Sequence, residues 1–213
     1  MSTLAVMERA KVEGWSDEEV VARVLQGESA LFEIIMRRYN QRLYRVARAI
    51  LRDDGEAEDV MQDAYVRAYQ HLNQFAGRAK FSTWLTRIAV HEALSRSRRR
   101  SRFDDLDTAV ESNGDRIMTS TDPSPEQQAF SGELKTLLET AVLALPEHYR
   151  EVVVMRDVEE MSTNEVAVVL DISEENVKVR LHRARALLRR ELFAHAGSAA
   201  ASAFPSTLRG ATA

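Results

Sequence analysis

The 213-residue chain contains no cysteine. Disulfides and cysteine-ligated zinc are therefore excluded, and a reducing compartment suits the composition. Four prolines and eight glycines leave few helix breakers, while abundant Ala, Leu, Arg and Glu favour helix over strand. No apolar run approaches the roughly 18 residues that a membrane span needs. The opening "MSTLAVMERAKVEGW" has no long apolar core and carries Glu8, Arg9 and Lys11, which does not fit a signal peptide. A cytoplasmic protein without a membrane span of its own is expected. There is no phosphate-binding glycine loop, and the histidines at 71, 91, 148, 182 and 195 are scattered. No cofactor, metal or catalytic array is expected, and an enzyme is the reading with least support.

What the chain does have is helical periodicity in two blocks, so the expected fold is all-α. "SDEE" at 16–19 is a capping box opening a first helix that stops near Gly27. A second helix, 29–51, places Leu31, Phe32, Ile35, Tyr39, Leu43, Val46 and Ile50 on one stripe. A third ends near Leu72, with Ala57, Val60, Met61, Ala64, Tyr65, Ala68 and Leu72 on its core side; a loop, "NQFAGRAK", precedes a fourth beginning at "STW". Residues 103–125 hold six acids against one base, Arg116, with an Asn-Gly pair and a "TSTDPSP" cluster. This composition predicts a flexible acidic linker of about 23 residues, able to span roughly 75 Å when extended. The expected organisation is an N-terminal extension (1–15), a helical domain (16–102), the linker (103–125), a second helical domain (126–192) and an unstructured tail (193–213).

The second block ends in "MSTNEVAVVLDISEENVKVRLHRARALLRREL". Ser162 and Glu165 form a capping box, "DIS" makes a tight turn, and Ser173 can cap the next helix. Helix, short turn, helix is the DNA-reading bihelical unit. Asp171 is a residue type that tolerates the left-handed conformation such a turn needs. On a helical wheel Val177, Leu181, Ala184 and Leu188 share the core side. Six Lys and Arg residues lie between 176 and 190 with no acid among them, although the whole chain carries a formal charge of -4. A solvating helix generally mixes both signs, so DNA binding is the reading for this one. Lys178, Val179, His182 and Arg183 are candidates for base edges; Arg180, Arg185 and Arg189 are candidates for phosphates.

The motifs "AEDVMQDAYVRAYQHL" (57–72), "FAGRAKFSTWLTRIAVHEALSRSRRR" (75–100), "LPEHYREVVVMRDVEEMSTNEVA" (145–167) and "VKVRLHRARALL" (177–188) occur in this order. Together they resemble a bacterial RNA polymerase sigma factor of the extracytoplasmic-function group, over about residues 17–192. The resemblance implies that the first domain is region 2, which binds core polymerase and melts the promoter −10 element. It implies that the second is region 4, which reads the −35 element. The core polymerase partners it implies are the largest-subunit coiled coil and the flap, with Asp59, Gln62, Asp63 and Arg67 meeting the coiled coil. At the −10 element it implies Asn73, Phe75, Arg78, Lys80, Arg87, His91, Arg96, Arg98, Arg99 and Arg100. Phe75 is the stacking candidate, whereas Phe81 or Trp84 is expected to be core. An anti-sigma factor is a further implied partner. His91 stands where family members often have asparagine, and Glu160 where many have glycine. The competing readings are a stand-alone helix-turn-helix regulator, which leaves the motifs at 57–100 unexplained, and a sigma mimic that titrates an anti-sigma factor, which would not need so basic a final helix.

Overall fold

Ser16 opens the first helix as the capping box predicts: its hydroxyl accepts from the Glu19 N–H at 3.2 Å and its own N–H donates to the Glu19 carboxylate at 2.7 Å. In the computed structural model, residues 14–104 and 136–203 are described, with side chains for 14–100 and 136–193. Most of the predicted linker and the start of the second block lie outside the described residues. Every regular element among the described residues is helical. The elements are α1 (Asp17–Leu25), a 3₁₀ turn (Ser29–Leu31), α2 (Phe32–Leu51), α3 (Asp54–Gln70), a second 3₁₀ turn (Leu72–Gln74) and α4 (Phe81–Asp104). After the linker come α5 (136–144), α6 (Glu147–Val153) closing in a wide π turn (Val154–Val158), α7 (Thr163–Leu170) and α8 (Glu174–Ala203). Helix α8 continues past Leu192, where the sequence reading ended it. The run "AHAGSAAASA" is rich in alanine, the strongest helix former, so propensity alone extends the helix.

Two apolar cores result. One lies wholly in the first unit, where Trp15, Val20, Ile35, Leu43, Tyr65, Phe81 and Leu85 pack among α1–α4. The other is shared: Val46, Ile50, Ala57, Val60, Val90 and Ala93 of the first unit join Val152, Met155, Val166, Val177, Leu181 and Ala184 of the second. Of the predicted stripe on α2, every residue is buried except Tyr39, which is half-buried; on α3 the exception is Met61. The two blocks, expected from the sequence as domains joined by a flexible linker, are thus packed on one another.

Polar groups tie this junction. Arg150 of α6 is only 2% exposed. Its Nε donates to the Ala49 carbonyl, Nη2 to Ile50 at 3.4 Å, and Nη1 to Leu143 and Leu145 at 3.1 and 2.7 Å. These oxygens belong to the last turn of α2 and the end of α5, where a helix leaves carbonyls without an internal partner. Arg52, in the left-handed conformation that ends α2 (φ 59°), reaches Leu145 O at 3.0 Å. The buried Glu159 carboxylate accepts from Arg42 at 3.2 Å and from Arg45. Burial lowers the Arg150 guanidinium to about 10, helped by the charge of Arg52, so it stays protonated at neutral pH.

The second unit follows its local signals. Ser162 and Glu165 form the predicted capping box, Asp171 ends α7 at φ 55°, and Ser173 caps α8 by accepting from the Asn176 N–H at 3.2 Å. Glu160 also takes the left-handed conformation, φ 54°, so the turn keeps the shape glycine would give it. Its side chain is exposed and has no hydrogen-bonding or ionic partner among the described residues. Glu160→Gly should therefore raise stability by about 1 kcal/mol, because the left-handed strain goes and no contact is lost; a lower urea midpoint would contradict this. Glu151 is buried, and desolvation lifts its carboxyl to about 7 despite the Arg180 guanidinium, with Glu147 raising it further and Arg150 opposing. A carboxyl raised in the fold stabilises while protonated: the contribution is full below its ordinary 4.5 and is lost as pH rises through about 7. Glu151→Gln should gain in melting temperature over the parent at pH 8 and little at pH 5; an equal offset at both would refute the assignment.

Candidate nucleic-acid interface

The last helix carries one apolar row and one cationic row. Val177, Leu181 and Ala184 are buried against α6 and α7, and Leu188 is half-buried. On the opposite side Lys178, Val179, His182 and Arg183 are all exposed, Val179 by 47%. Among the described residues none pairs with Lys178, His182, Arg183 or Arg189. The Asn164 amide on α7 donates to Glu174 on α8 at 3.1 Å, bracing the two helices across the turn. An exposed cationic row on the second helix of a braced turn unit can enter a major groove.

Two candidate phosphate contacts have partners already. Arg180 donates to Glu151 at 3.1 Å and to Asn176 at 3.2 Å. Arg185 makes a two-pronged pair with Asp157 at 2.6 and 2.9 Å. Both fasten α8 to α6 and the turn after it. No helical wheel of α8 alone could reveal this, because the acids lie 28 and 29 residues upstream.

In the first unit the loop between α3 and α4 exposes Asn73, Arg78 and Lys80, and Gly77, at φ 66°, lets it reverse direction. Phe75 is half-buried rather than free. Its ring meets Phe81 edge-on at 5.2 Å and Trp84 at 5.6 Å, forming an aromatic cluster with Phe81 at its buried end. Farther along α4, Arg87, His91, Arg98 and Arg99 are exposed. Lys80 is the member of this group held by the second unit: its Nζ lies 3.0 Å from the Glu165 carboxylate, which also accepts from the Thr83 hydroxyl at 3.3 Å. Burial would raise the Glu165 carboxyl, but the Ser162 N–H, Lys80 and the Ser162 side chain together hold it at about 2.

Arg96 and Arg100, also expected at the −10 element, are paired within the first unit. Arg96 lies between Asp63, Asp59 and Glu92, and Arg100 donates to Glu56 at 3.2 Å and to Leu51 O at 2.8 Å. Both clamp α4 to α3; Arg96 does so through Asp59 and Asp63, two of the residues expected to face polymerase, and Arg100 also ties α4 to the end of α2. Asp59, Gln62, Asp63 and Arg67 do share an exposed face, with Arg67 also paired to Glu92 at 2.9 Å. Beside this face, between α2 and α5, lies a cleft of about 680 Å³ lined by Tyr44, Met61, Gln62, Leu138, Val142 and Val158. No described helix is long and apolar enough to cross a membrane.

Comparison with known proteins places these features. The Sigma-70 region 2 family model matches residues 35–103 and the Sigma-70 region 4 model matches residues 135–188. The chain is 34% identical over 176 residues to the ECF RNA polymerase sigma factor SigW of Bacillus subtilis, covering 81% of this chain and 94% of that one. It is 32% identical over 176 residues to the ECF RNA polymerase sigma-E factor of Escherichia coli, with 80% and 91% covered. The fold is similar to that of the sigma factor RpoE of Bartonella quintana, solved with the anti-sigma factor NepR (TM-score 0.64, 22% identity, 76% and 96% covered). It is also similar to that of CnrH, solved with the cytosolic domain of CnrY (TM-score 0.57, 24% identity, 82% and 96% covered). The order of the two regions, the all-helical fold and the similarity over four-fifths of the chain agree: it belongs to the extracytoplasmic-function group of sigma-70 family RNA polymerase sigma factors.

Proposed function

We propose that this chain is a non-enzymatic, cytoplasmic specificity subunit that brings core RNA polymerase to a particular set of promoters. The observation that carries this reading is the exposed row Lys178, Val179, His182 and Arg183 on a braced helix-turn-helix, in a chain that also carries region 2. These side chains meet base edges of the −35 duplex; Arg189, unpaired among the described residues, holds a phosphate. The exposed Asn73, Arg78, Arg87, His91, Arg98 and Arg99 line the −10 side, with the Phe75, Phe81 and Trp84 cluster backing the loop. A melted base needs a pocket to offset its lost stacking, and that aromatic cluster can supply one wall by opening its Phe75 edge. Asp59, Gln62, Asp63 and Arg67 form the polymerase-facing row, where acidic charge steers toward a basic coiled coil. The largely apolar cleft beside that row suits an anti-sigma partner, as NepR is to the Bartonella quintana RpoE.

Run-off transcription with core polymerase on a genomic promoter library tests the reading. Start sites that appear only when the chain is added are expected; none would overturn it. On the promoters so found, Arg183→Ala should cost about 1–3 kcal/mol at the upstream element and relax the preference at one base pair. An equal loss on every sequence would move Arg183 to the phosphate contacts.

A further inference from the structure

Three observations meet at the amino end of α7. The Glu165 carboxylate sits 3.0 Å from Lys80 Nζ and 3.3 Å from the Thr83 hydroxyl, so a second-unit anion occupies two donors of the first unit's loop and helix start. Thr83 is 2% exposed, so nothing else can share that hydroxyl while α7 is in place. The buried junction through Arg150, Arg52 and Glu159 holds the second unit against the first behind this contact. An ammonium with an adjacent hydroxyl, at the end of a loop that also exposes Arg78, is the donor set that a strand phosphate would use.

We propose that the free chain is self-closed, with Glu165 standing in for a DNA backbone phosphate on Lys80 and Thr83. Single-stranded DNA then competes with α7 for this pair, and full engagement of Thr83 by the strand requires the two units to part. The recognition row on α8 and the other −10 cations stay exposed in the closed form, so closure weakens strand capture at the Lys80–Thr83 pair and leaves duplex contact open. The phosphate role of Lys80 rests on the sigma-factor reading; the closed contact itself does not.

Glu165→Gln separates these effects, because glutamine at this position keeps the capping box and removes only the charge. The probe is a single-stranded dT12 oligonucleotide, with affinity measured by fluorescence anisotropy on the full chain. Glu165→Gln should bind it about three- to fivefold more tightly than the parent, the strength of one partly exposed ion pair. Glu18→Gln, an exposed change of the same net charge on α1, should leave affinity unaltered. Zero-length carbodiimide coupling of the parent should join Lys80 to Glu165, identified by mass spectrometry, and dT12 should suppress it. The double variant Arg42→Ala/Arg45→Ala, which frees Glu159 and leaves both coupled residues intact, should lower the coupling yield and raise dT12 affinity. No Lys80–Glu165 adduct in the free chain, or equal gains from Glu165→Gln and Glu18→Gln, would overturn the proposal. If the adduct forms and dT12 suppresses it while run-off transcription fails, the contact stands and the sigma-factor reading falls.

Discussion

The carboxyl end of α2 presents carbonyls at Ala49 and Ile50 that no further helical turn can satisfy, and α5 ends with the same deficit at Leu143 and Leu145. One guanidinium, that of Arg150, donates to all four and sits where the two helix ends converge. Two negative helix termini attract the cation, and its fork geometry lets a single side chain serve both units. Everything else at the junction depends on this placement. The shared apolar core closes around it, Glu159 falls within reach of Arg42 and Arg45, and α7 comes to rest against the loop that ends at Lys80.

Such a junction can also come apart. Carbonyls and guanidinium groups hydrate well, so even these charge-assisted hydrogen bonds have a net worth of only about 1.5–3 kcal/mol each. Separation exchanges those bonds for water while exposing the apolar part of the interface. A partner that covers the exposed surface, or a nucleic acid that replaces the Glu165 carboxylate, can therefore shift the balance. The positive charge is distributed accordingly: one row on α8 faces outward in the closed chain, and the other lies beside a contact that masks part of it.

Much of this was legible in the sequence. Both capping boxes, the stripes on α2 and α3, the left-handed Asp171 and the split faces of α8 all follow from local spacing, because each is decided within one or two turns. Glu160 was legible as a departure from glycine, and the turn keeps glycine's conformation at that position. The long-range ion pairs were not legible. Arg180, Arg185, Arg96 and Arg100 look like free cations on their own helices and find acids 28 to 44 residues away. Arg150 offered a clue: it lies three and four residues before Val153 and Val154, in the apolar row of α6, where an arginine needs buried acceptors. Nothing in either block alone announced that the other would supply them. The division of roles around α3 and α4 was harder still, since acids read as facing a partner already hold Arg96.

Because the chain has no cysteine, Gln26→Cys and Glu175→Cys create two unique sites for spin labels, one at the exposed end of α1 and one on α8. Pulsed electron resonance then gives the distance between the units directly. A single narrow distribution is predicted for the isolated chain, replaced by a longer one when core polymerase and promoter DNA are added. A broad distribution in isolation, or the same narrow one in the transcription complex, would contradict a closed chain that opens on its promoter.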